Sequence, residues 1–116
     1  FAQGLDHYKK SKFIKSMIIF NELFLKHPGC YRCVYYKGKS SGKLASEANW
    51  INATKLAVET LHSFKEAYRL NPTDYEVTRD LAKYYMMAPK VLGGDIRKAN
   101  ELILTAEKLK ETLSDN

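Results

Sequence analysis

The chain has 116 residues, of which 45% are apolar and 28% charged, a balance that builds one compact domain and excludes a globally disordered chain. A net charge of +6 raises two partner classes, an acidic protein and a nucleic acid. The basic residues fall as singles and pairs such as Lys9-Lys10, the pattern of solvated helix faces, which makes nucleic acid the less favoured of the two.

The apolar stretches Met17–Phe20 and Leu23–Leu25 are broken by Asn21, Glu22 and Lys26, so no span in this segment reaches the roughly 20 apolar residues of a membrane helix. The chain opens at Phe1 rather than methionine and reads as a fragment or processed product of a longer protein. The compartment therefore stays open, the cytoplasm slightly ahead of a bacterial periplasm or envelope.

In chain order, the first clear element is a helical stripe over Lys12–Lys26, in which Phe13, Met17, Phe20 and Phe24 recur at helical spacing and Ile14, Ile18 and Leu25 widen the face. His27-Pro28-Gly29 ends it. A second long pattern runs from Leu44 to Leu70 and stops at Asn71-Pro72. Thr73, three residues before Glu76, reads as a capping box that opens a helix carrying Val77, Leu81, Tyr84 and Tyr85 and fading at Ala88-Pro89. After the Gly93-Gly94 turn, Asp95 is an N-cap for a last helix with Ile96, Ala99, Leu102, Ile103, Ala106 and Leu109. No segment alternates with period two, so the expected class is all-α.

An internal repeat appears when the chain is aligned on its prolines. Phe13, Ser16, Phe20, Leu23 and Pro28 line up with Ala57, Thr60, Phe64, Ala67 and Pro72, and a third copy keeps Ile96, Ala99, Ile103 and Ala106. With Gly4, Gly38 and Ala82 as small residues in the preceding helices, the pattern resembles the tetratricopeptide repeat (TPR) family. The resemblance covers nearly the whole chain as one domain of antiparallel hairpins in a short right-handed superhelix, with units of about 1–30, 31–74 and 75–113 set against a consensus of roughly 34 residues. It departs from the consensus around Ser40–Asn52, about ten residues too long, and at Pro89–Gly93, about five too long. Longer helices in the middle hairpin are expected.

Catalytic and metal chemistry find little support. Cys30-x-x-Cys33 lacks the second ligand pair of a structural zinc site, lacks the following His of a haem attachment site, and has no βαβ context. The favoured reading is two small residues buried one helical turn apart, with an i,i+3 disulfide as the alternative in an oxidising compartment. His7, His27 and His62 form no ligand pair with one another or with a cysteine. No phosphate loop or nucleophile–base pair is found, so no enzyme, metal or cofactor is expected. The Asn52-Ala53-Thr54 sequon falls in a predicted helix and is discounted.

Of the eight tyrosines, six (Tyr31, Tyr35, Tyr36, Tyr75, Tyr84 and Tyr85) concentrate on the first helices of the second and third units. In the TPR family the first helices line a concave groove. Carried over, the resemblance implies a groove of Tyr8 and Lys9 with Leu5, then Arg32, Tyr35, Tyr36, Lys39 and Lys43, then Arg79, Lys83 and Met86 with Glu76, Asp80 and Met87. Aromatic anchors among cations suit an acidic peptide or a free C-terminal carboxylate. The expected function is a protein- or peptide-binding scaffold. The alternatives are a small-ligand module of a bacterial envelope system, with its pocket between the long middle hairpin and the third unit, and a basic nucleic-acid binder. The wide apolar stripes near both ends also leave room for a homo-oligomer or for covering chain.

Overall fold

The computed structural model describes residues 1–114 and is all-helical among them. α1 spans Ala2–Lys9, α2 Phe13–Lys26, α3 Tyr31–Glu47, α4 Trp50–Leu70, α5 Tyr75–Met87 and α6 Ile96–Ser114, with a short 3-10 turn at Lys90–Leu92 ahead of α6. They pair as the hairpins α1–α2, α3–α4 and α5–α6, and contacts of α2 with α3 and of α4 with α5 join these into a stack of 36 × 33 × 24 Å. Among the described residues no helix is long and apolar enough to cross a membrane.

Side-chain caps set several helix starts by satisfying backbone N–H groups that have no partner inside the helix. Asn49 accepts from the Asn52 N–H at 3.0 Å, Asp74 from Val77 at 3.0 Å, and Asp95 from Arg97 and Lys98 at 3.1 and 3.2 Å. The Asp95 cap is the one expected from sequence. The other two correct it. The pattern expected as one element from Leu44 to Leu70 is two helices, because Ala48 and Asn49 are both extended and Asn49 caps a new start at Trp50. Thr73 does not cap α5: its backbone N–H and its hydroxyl both turn back to the Asn71 side chain, and Asp74 takes the cap.

The middle hairpin is long, as expected, with 17 residues in α3 and 21 in α4 against 13 in α5. The surplus around Ser40–Asn52 is therefore extra helix on both arms rather than a loop. The surplus at Pro89–Gly93 is the 3-10 turn, held where the Tyr84 hydroxyl donates to the Leu92 carbonyl at 2.6 Å and the Asp95 N–H to the Tyr85 carbonyl at 2.9 Å.

Within a hairpin the helices touch where one supplies no side chain. A Cβ on Gly4 would stand 2.8 Å from the Phe20 ring, and one on Gly38 would stand 2.8 Å from Ser63 Cβ and 2.9 Å from the Phe64 ring. The repeat positions follow the same logic: Ser16, Thr60 and Ala99 are buried, as are Phe20, Phe64, Ala67 and Ala106. Buried hydroxyls pair across helices, Ser16 with Ser40 and Ser41 with Thr60, both at 2.9 Å. The main core lies between the second and third hairpins, where Val34, Tyr35, Phe64, Ala67, Val77, Leu81, Tyr85 and Ala99 cluster. Each large apolar side chain buried there contributes about 1.5–3 kcal/mol. On the outer face of α2, Ile14, Ile18 and Leu25 remain 50–70% exposed.

Candidate partner-binding cleft

The arms of the middle hairpin outrun α5, and the space this leaves is a cleft of about 930 Å³. Tyr8 closes it from α1, Lys39, Gly42 and Lys43 from α3, and Arg79, Asp80, Lys83 and Met87 from α5. The N-terminal half of α4 adds Trp50, Ala53, Thr54 and Ala57, and Leu92 of the 3-10 turn completes the wall. Small residues on the hairpin side keep the cleft open, whereas the rim carries large apolar groups: Trp50 is 79% exposed and Met87 72%.

Among the described residues four cations line this space against one carboxylate, Asp80. That carboxylate is already engaged: the Arg79 guanidinium lies 3.2 Å from it and the Tyr35 hydroxyl donates to it at 2.6 Å. Among the described residues Lys39, Lys43 and Lys83 have no carboxylate within ion-pair distance. Lys39 is held instead by aromatic faces, its Nζ lying 5.6, 5.3 and 5.7 Å from the ring centroids of Tyr8, Tyr35 and Tyr36. Such contacts orient an ammonium without neutralising it. Burial, reinforced by the Asp80 charge, pushes the Tyr8 and Tyr35 hydroxyls above the ordinary tyrosine range, so both stay neutral around Lys39.

The expected groove residues divide into three groups. Tyr8, Lys39, Lys43, Arg79 and Lys83 come together in the cleft, with Asp80 and Met87. Tyr35 is 3% exposed and supports the site from beneath through Asp80. Tyr36 is packed among Phe1, Tyr8, Phe20 and Tyr35. With Arg32, both tyrosines border a separate, smaller cleft of about 410 Å³ beside Tyr31, Asp74 and Glu76. Lys9 and Met86 line neither cleft. Lys9 ends the short α1 on its exposed side, and Met86 sits one residue off the face that Met87 presents.

Sequence reasoning missed the α4 wall, including Trp50, because the resemblance assigns a groove to first helices alone. The available signal was the chain's single tryptophan set between Asn49 and Asn52.

The cysteines also depart from the favoured expectation. Cys30 lies outside α3 as its N-cap, Cys33 is buried inside the first turn, and the two form a disulfide with Cα atoms 5.4 Å apart. The i,i+3 bridge held as the alternative is the one present.

No model of a known protein family matches the sequence, and no curated protein matches it.

Proposed function

We propose that the chain is a TPR-like binding scaffold, without catalytic activity of its own, that receives a segment of another protein in the large cleft. The observation that carries this reading is the set of lysines at 39, 43 and 83, which face an aromatic and apolar cleft with no carboxylate partner among the described residues. An acidic segment with an apolar residue fits that chemistry: carboxylates meet the lysines and the apolar side chain meets Trp50 and Met87. Trp50, the chain's single tryptophan, reports on occupancy.

The test is a fluorescence titration with an acidic, leucine-containing peptide and its charge-neutral counterpart. The acidic peptide is expected to shift Trp50 emission, with an affinity that weakens as salt screens the lysines. A Lys39→Glu, Lys43→Glu double variant is expected to lose at least about tenfold, equivalent to 1.4 kcal/mol. Unchanged affinity in that variant rejects the cleft as the site.

A second reading has one observation in its favour. The cleft lies between the middle hairpin and the third, where a small-ligand module needs its pocket, and about 930 Å³ is within the range of such sites. Emission changes driven by a small anionic ligand, and not by the peptide, would select it.

A further inference from the structure

The Cys30–Cys33 bridge joins no two elements of the fold, since Cys30 is the N-cap of α3 and Cys33 lies in its first turn. A bridge that closes so short a loop restrains the unfolded chain less than one closing a longer loop. The backbone there is already tied without it, the N–H groups of Cys33 and Val34 both reaching the Cys30 carbonyl, at 3.2 and 3.4 Å. A purely structural staple is thus a poor account of the pair.

The two sulfurs also stand in unlike surroundings. Cys33 is 4% exposed, whereas Cys30 is partly exposed and follows the exposed Pro28-Gly29 turn, where a Cβ added at Gly29 would meet nothing within 4 Å. The approach to Cys30 is open. Cys30 Sγ accepts the Cys33 N–H at 3.2 Å, so a thiolate formed there keeps a backbone donor. No acidic residue occupies the first turn of α3, which carries Arg32. These features favour a Cys30 thiolate.

We propose that Cys30–Cys33 is a thiol–disulfide exchange site, with Cys30 the sulfur that bonds to the incoming partner, Cys33 the resolving sulfur, and a dithiol the substrate. A thiolate of the dithiol attacks Cys30 Sγ. An S–S bond forms between them, the Cys30–Cys33 bond breaks, and Cys33 leaves as a thiolate and takes up a proton. The second sulfur of the dithiol, once deprotonated, attacks its neighbour in the mixed disulfide and releases the Cys30 thiolate, which takes up the second proton. The dithiol is oxidised to a disulfide, the cysteine pair is reduced, and two protons pass from one to the other. The reverse sequence, begun by the Cys30 thiolate, reduces a partner disulfide. This site is independent of the cleft.

The probes are dithiothreitol, for the oxidised chain, and oxidised glutathione, for two single variants. Under native conditions dithiothreitol is expected to reduce the pair, read by alkylation and mass, while the helical circular dichroism stays intact. Cys33→Ser is expected to form the glutathione mixed disulfide on Cys30 at least about tenfold faster than Cys30→Ser forms it on the buried Cys33. Reduction that requires unfolding, or equal adduct rates in the two variants, overturns the proposal.

Discussion

Two glycines one helical turn apart on α3 are expected to respond to the same substitution with opposite signs. In Gly38→Ala the new methyl carbon would stand 2.8 Å from Ser63 Cβ and 2.9 Å from two carbons of the Phe64 ring. The Ser63 contact is to a Cβ, fixed to the α4 backbone, so no rotamer change relieves it. Phe64 is 7% exposed and packed in the core, so its ring has little room to withdraw. The hairpin must open by several tenths of an ångström, and overpacking of this kind costs about 1–3 kcal/mol. Replacing a mid-helix glycine returns about 0.5–1 kcal/mol. The net expectation is a loss of about 1–2 kcal/mol. In Gly42→Ala the methyl would lie 3.5 Å from the Thr60 side chain, an ordinary contact, so the helix gain stands alone. The two variants are thus expected to differ by about 2 kcal/mol, or about 8 °C in Tm at this chain length. Equilibrium urea unfolding measures both, and an unchanged m-value certifies that the native and unfolded states are otherwise comparable. A Gly38→Ala variant as stable as wild type or more so would refute the close-approach argument.

Other perturbations test the caps, the late turn and the buried tyrosines. Asp74→Ala removes the α5 N-cap and the acceptor of the Tyr31 hydroxyl at 2.9 Å, and is expected to cost about 2 kcal/mol by urea unfolding. Gly94→Ala would place Cβ 1.8 Å from the Ala88 carbonyl oxygen, which no side-chain motion relieves; a loss above about 3 kcal/mol, seen as a large drop in Tm, is expected. Tyr8, Tyr31, Tyr35, Tyr84 and Tyr85 are all pushed above the ordinary tyrosine value of 10.0, in each case first by burial. The folded chain therefore keeps protons that the unfolded chain releases near pH 10, so this contribution to stability is complete below that pH and declines above it. Urea midpoints followed with tyrosinate absorbance are expected to fall beyond pH 10, and a midpoint that rises there contradicts the assignment.

Local chemistry made most of the helices legible in the sequence. The stripe from Phe13 to Phe24, the breaks at Pro28 and Pro72 and the Asp95 cap all act through residues within a turn of one another. At the proline-aligned positions Ser16, Thr60 and Ala99 are all buried, Ser16 against the next hairpin through Ser40 and Thr60 within its own through Ser41. The break at Ala48-Asn49 did not stand out, since the apolar period runs on across two extended residues and only the cap geometry marks the new start. Asp74 displaced Thr73 because the Asn71 side chain captures Thr73, a competition between neighbouring polar groups that spacing cannot rank.

The cleft belongs to the tertiary structure. That Tyr8 of α1 joins Tyr35 and Tyr36 around Lys39, that the Tyr35 hydroxyl reaches Asp80 from another hairpin, and that α4 supplies a wall through Trp50 all depend on how the helices pack. Lys9 and Met86 show the converse, since a shared face in sequence did not bring them to the cleft. The sequence alone determined the helical class, most helix ends and the small residues that let helices meet, because each rests on short-range sterics and backbone hydrogen bonding. Which cations lie unpaired and which sulfur of the cysteine pair is reachable were decided only by packing between hairpins, because exposure and charge compensation are properties of residues distant in the chain.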